Sequence, residues 1–113
     1  MYIKINDKNI ELKNAINFRD RIKSLKFVLG PLQYGIRFPN KAWCNTYFLF
    51  ENVDIVQTDA NENILYIFKN VYTERFIRKR KNVVNTYFLP VGCSDYLEDK
   101  DKIVLMYDEN KKD

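Results

Sequence analysis

Asn45-Thr46-Tyr47-Phe48-Leu49 recurs as Asn85-Thr86-Tyr87-Phe88-Leu89, and the reading of this repeated pentapeptide decides the fold. Successive side chains of a strand point to opposite faces. Each copy therefore gives Thr and Phe to one side of a sheet and Asn, Tyr and Leu to the other. Beyond Lys41 and Lys81 almost nothing continues the identity. The copies read as two core strands built alike, not as a duplicated unit.

Working outward, apolar and β-branched runs recur at the spacing of an all-β domain. The strand candidates are Tyr2 to Ile5, Ile10 to Lys13, Gln33 to Phe38, Trp43 to Phe50, Val53 to Thr58, Ile64 to Phe68, Arg75 to Arg80, Val83 to Leu89 and Ile103 to Tyr107. Asp59-Ala60-Asn61-Glu62-Asn63 has the residue types of a hairpin loop, and Pro90-Val91-Gly92 marks a sharp exit. One helix is predicted near residues 18–29, because Phe18, Ile22, Leu25 and Leu29 recur at helical spacing behind a capping Asn17 and Gly30-Pro31 ends the run. These elements predict a mainly β fold, an antiparallel β-sandwich or flattened barrel with one short α-helix. Residues 1–107 form a single domain in this reading, and 108–113 a polar, frayed tail.

The chain has 113 residues, with 8 Tyr, 8 Phe, 3 Gly and 3 Pro. That length buries a core without help from a disulfide or metal. The sequence contains no His, which removes the commonest general base and metal ligand. No metal or cofactor is expected. Cys44 and Cys93 lack a C-x-x-C spacing and read as two buried, reduced thiols. The start of the chain lacks the apolar stretch of a signal peptide, and no segment is long and apolar enough to span a bilayer. A cytoplasmic protein with no membrane partner is expected.

Two constellations offer chemistry. The net charge is +4, and the segment from Lys69 to Lys81 concentrates basic residues around a single acid, Glu74. Arg75, Arg78, Lys79, Arg80 and Lys81, with Tyr72 and Phe76 nearby, have the composition of a phosphate-contacting strip with stacking rings. The competing and favoured reading is a solvated edge strand guarded by charge, with the aromatics claimed by the core. The second constellation is Trp43, Asn45, Thr46 and Asp54. Trp43 could stack on a ligand that Asp54 orients, with Arg21 or Arg37 as counter-charge. Set against this is a structural ion pair, since a carboxylate between Val53 and Ile55 must reach solvent or find a partner. No carboxylate pair, calcium loop or Gly-rich phosphate loop stands out.

In order along the chain, three blocks resemble the uncharacterised bacterial and archaeal family known as domain of unknown function 192. They are Ala15 to Phe27 with Arg21, Leu25 and Phe27; Gly35-Ile36-Arg37-Phe38-Pro39 followed by Trp43 to Asp59, where Thr46, Phe48, Asp54 and Asp59 match in type and order; and Val83 to Gly92, ending in Leu89-Pro90-Val91-Gly92. Ser24, Lys26, Tyr87 and Lys100 depart from the family's usual residues. The resemblance implies a compact sandwich of jelly-roll character with a short helix, and it implies no activity.

The expected function is a non-catalytic binding or accessory module whose partner is a small polar ligand or a protein. A nucleic-acid-associated protein using residues 75–81 is one alternative. A hydrolase-type enzyme using carboxylates such as Asp54 is another.

Overall fold

The structure is a computed structural model that describes residues 1–5, 8–14, 34–46 and 51–107. The predicted helix near residues 18–29, Arg21, Tyr47 to Leu49 and the tail lie outside the described residues. Among the described residues eight strands follow in order: β1 (Tyr2–Ile5), β2 (Lys8–Asn14), β3 (Gly35–Phe38), β4 (Cys44–Asn45), β5 (Val53–Thr58), β6 (Ile64–Val71), β7 (Phe76–Ile77) and β8 (Asn85–Leu89). A 3-10 turn at Cys93–Tyr96 comes after them. The fold is mainly β, as the sequence predicts: a curled, half-barrel sheet of six strands in the order β1-β2-β3-β8-β5-β6, beside a two-stranded ladder of β4 and β7.

The second copy of the pentapeptide is β8, and it lies at the centre of this sheet. Antiparallel to β3, it pairs Phe88 with Ile36; antiparallel to β5, it pairs Phe88 with Ile55 and Tyr87 with Val56. All five of its residues are buried, so both of its faces carry core. Phe88 packs in one cluster with Ile36, Phe38, Val53, Ile55, Cys44 and Ile77. Tyr87 and Leu89 pack in another with Ile3, Ile5, Leu12, Val56, Ile64 and Ile103. The second cluster draws residues from both edge strands, β1 and β6, so the sheet must curl towards it. The first cluster sits on the convex side, where β4 and β7 cover it.

One expectation is corrected. The pairing is not wholly antiparallel: β2 runs parallel to β3, with Leu12 opposite Gly35. A parallel pair cannot be joined by a tight hairpin and needs a long connection. The approach is close at Gly35, where a Cβ would stand 2.6 Å from Leu12 Cδ2 and 2.8 Å from Leu89 Cδ2. Of the first pentapeptide copy, Asn45 closes the two-residue β4 and Thr46 is buried, while its last three residues lie outside the described ones.

The predicted last strand is instead a strap. Asp101 to Met106 touches the sheet at both edges, through bridges from Lys102 to Asn63 and from Met106 to Tyr2. Ile64 N–H donates to Asp101 O at 2.7 Å, Ile103 N–H to Glu62 O at 2.9 Å, and Tyr2 N–H to Met106 O at 2.8 Å. Edge strands left open would invite pairing with other chains. Among the described residues no helix is long and apolar enough to cross a membrane.

Candidate basic and aromatic groove

Thr46 is the residue from which this site is built. It is fully buried, its Oγ1 donates to Tyr72 O at 2.8 Å and accepts from Arg75 N–H at 2.8 Å, and its own N–H donates to Arg75 O at 2.8 Å. Those bonds pin a tight turn after β6, in which Glu74 takes a left-handed φ of 61°. The chain can then form only a short ladder, Asn45 opposite Phe76 and Cys44 opposite Ile77. The expected strand from Arg75 to Arg80 is thus reduced to two residues. Ile77 turns into the core, and Phe76 is left outside.

The basic strip and the Trp43 to Thr46 part of the second constellation meet on this surface. Trp43, Tyr72 and Phe76 are 40%, 57% and 56% exposed. Trp43 and Phe76 are neighbours, with ring centroids 5.8 Å apart. Lys41 Nζ stands 3.5 Å from the Trp43 ring centroid and the Arg75 guanidinium 6.0 Å from that of Tyr72, as cations over ring faces do. Beside them opens a cavity of about 460 Å³ lined by Phe68, Asn70, Val71, Tyr72, Arg75, Phe76, Ile77, Arg78 and Arg80. Among the described residues three guanidinium groups and three rings share it, and no carboxylate lines it. Among the described residues Arg75, Arg78 and Arg80 form no salt bridge, the two such bridges being Arg37 with Glu62 and Lys69 with Asp95. Arg80 rests against Tyr66 and Phe68, 5.3 and 5.1 Å from their centroids, and its Nη1 is buried without a hydrogen-bond partner. Lys79 and Lys81 are exposed but do not line the cavity. The aromatics assigned to the core at this end are in fact at the surface, because Thr46 holds the turn that turns them out.

Asp54 lies elsewhere and has a different task. It is 1% exposed. Opposite it the β5–β6 register slips between Val53 and Ile55, and Asn70 takes a left-handed φ of 51°. Such a bulge frees a backbone donor, and Asn70 N–H gives it to Asp54 Oδ1 at 2.8 Å. Asp54 Oδ2 accepts from Gly92 N–H at 3.0 Å, Ser94 N–H at 3.0 Å and Ser94 Oγ–H at 2.6 Å. Gly92 permits this convergence with its φ of 96°. Asp54 was expected to face solvent or pair with Arg21 or Arg37. Instead four neutral donors satisfy it, and it ties the β5–β6 bulge to the Leu89-Pro90-Val91-Gly92 exit.

Arg37 is engaged in a second polar cluster that sequence reasoning missed. Its Nε donates to the Tyr87 hydroxyl at 3.0 Å and its Nη2 lies 3.5 Å from Glu62 Oε1. The Tyr87 hydroxyl donates to Glu62 Oε2, and Asn85 Nδ2 donates to Glu62 Oε1 at 2.6 Å. Burial, with the neighbouring Glu62 carboxylate, pushes the Tyr87 hydroxyl well above its ordinary value. Alternation places Asn85 and Tyr87 on one face, but nothing in the sequence points to Glu62 as their partner. The thiols separate likewise. Cys44 is buried on the convex side and Cys93, half-buried, packs on the concave one, both free. Among the described residues no group of three His, Cys, Asp or Glu could hold a metal ion.

No family model and no curated protein matches this chain. Two solved structures resemble it. A protein of unknown function from Novosphingobium aromaticivorans DSM 12444 has a TM-score of 0.72 and 15% identity over 92% of this chain and 82% of its own. A proposed transcription regulator from Sinorhizobium meliloti 1021 has a TM-score of 0.74 and 15% identity over 91% of this chain and 89% of its own. At that identity the likeness is one of fold.

Proposed function

We propose that this protein is a non-catalytic binding module, and that its recognition surface is the groove of Tyr72, Phe76, Arg75, Arg78 and Arg80, flanked by Trp43. One observation carries the reading: three arginines that have no carboxylate partner among the described residues line the same cavity as three aromatic rings. Guanidinium groups left without a protein anion are donors for a ligand anion, and each is planar and suited to bidentate contact. The ligand is therefore anionic and carries flat, apolar parts. Asn45 and Thr46 serve this surface by position, not by contact. Asp54 and Arg37 belong to the scaffold, and a hydrolase built on Asp54 finds no support in a carboxylate that already takes four hydrogen bonds.

In the same reading the chain is a remote member of the domain of unknown function 192. Supporting this is the direct contact between two of the blocks that carry the resemblance, Asp54 of the second and Gly92 of the third. A jelly-roll character belongs to the same proposal. A cytoplasmic setting suits two free thiols.

The test is a titration at low salt with three anionic probes, a nucleoside monophosphate, inorganic polyphosphate and an oligonucleotide, followed by Trp43 fluorescence. At least one probe should bind, and Arg75→Ala with Arg78→Ala should weaken it. Failure of every probe, or equal binding by the double variant, would refute the proposal.

A further inference from the structure

Resting on that reading of the groove, we infer that its occupant is single-stranded nucleic acid. Charge alone would suit any compact anion, but the surface provides more than charge. Tyr72 and Phe76 are each more than half exposed within a chain that has buried core on both faces of its sheet. Flat apolar faces held in water beside unpaired guanidinium groups match a ligand that alternates planar bases with phosphates. The track also continues past the cavity, from Phe76 to Trp43 and on to Lys41, which suits a polymer and not a single nucleotide. A duplex keeps its base faces stacked inside, and an acidic peptide has none to offer. Bases of a single strand are free to lie on Tyr72, Phe76 and Trp43 while its phosphates meet Arg75, Arg78 and Arg80.

The experiment is fluorescence anisotropy of a labelled oligothymidylate about 15 nucleotides long, near the upper single-strand site size of a small β-barrel binder, run at rising salt against the full chain. Three phosphate contacts predict that log K falls with log salt at a slope of about −2, and that Arg78→Ala flattens the slope by about 0.7. Tyr72→Ala and Phe76→Ala should each weaken the oligothymidylate by about fivefold to a hundredfold, the cost of one lost base stack. Tyr72→Phe, which keeps the ring, should restore binding. Inorganic polyphosphate, which has no bases to stack, should lose less affinity than the oligothymidylate in each alanine variant. If the alanine variants hold the oligothymidylate as tightly as the unaltered chain, or if a duplex of equal charge binds as well, the inference fails. Should that happen while Arg78→Ala still releases polyphosphate, the anion-binding reading survives alone. If neither oligothymidylate nor polyphosphate binds, both fall together.

Discussion

At the scale of single residues, Asp54 shows how a polar side chain inside an apolar strand can hold a fold. Three backbone N–H groups and one hydroxyl converge on its two oxygens. Hydrogen bonds to a charged acceptor contribute more than neutral ones, and each buried donor left without an acceptor costs about 1–3 kcal/mol. Asp54→Ala orphans all four, so urea unfolding should show a loss of about 3 kcal/mol or more. Ser94→Ala removes only the hydroxyl and should cost about 1–2 kcal/mol. Equal losses for the two variants would mean that the backbone donors find other partners. An Asp between Val53 and Ile55 announces that a partner must exist, and that much was legible in the sequence. The partner's identity was not, because the donors are main-chain groups on a bulge and a turn that only the tertiary structure brings together.

At the scale of elements, the alternating strands were the legible part. Tyr2–Ile5 and Val53–Thr58 stand where the pattern puts them, and β8 buries Thr86 and Phe88 on one side and Tyr87 and Leu89 on the other. What alternation does not encode is pairing direction and pairing partner. The parallel β2–β3 contact depends on a crossover, and the shortening of the basic strand depends on Thr46 capturing Arg75 from a distant position. The basic strip was therefore visible in composition, whereas its exposure beside Trp43 was not. Gly35 offers a check on the parallel pair. A Cβ there would press on Leu12 and Leu89 within a filled core, and overpacking of that kind costs about 1–3 kcal/mol. Gly35→Ala should lose that much stability, read as a lower urea midpoint at an unchanged m-value; no loss would mean that the δ-methyl groups of Leu12 and Leu89 move aside for the new Cβ.

At the scale of the whole molecule, two buried proton donors set the alkaline limit of stability. Burial pushes the Cys44 thiol up to about 12 from an ordinary 9.0, against the opposing pull of Lys41 and Arg80. The Tyr87 hydroxyl is likewise raised above its ordinary 10.0. A group whose protonated form is favoured by folding stabilises fully below its unfolded pKa and ceases to do so as pH climbs through the folded one. Stability should therefore fall from about pH 9 upward as the unfolded thiol ionises, with Tyr87 adding to the slope above pH 10. Urea midpoints followed against pH should show a shallower alkaline slope for Cys44→Ala than for the unaltered chain; parallel slopes would remove Cys44 from the explanation. The strap from Asp101 to Met106 bears on the order in which the molecule comes into being. It follows every described strand in sequence, and it contacts β1 at Tyr2 and β6 at Ile64 and the adjoining Asn63. A chain emerging from the ribosome makes all six strands of the curled sheet before the segment that joins its two rims, so each nascent molecule passes through an interval with both rims unguarded. Folding during synthesis proceeds from the N-terminal end, and for this topology that interval is when chaperone capture would matter most.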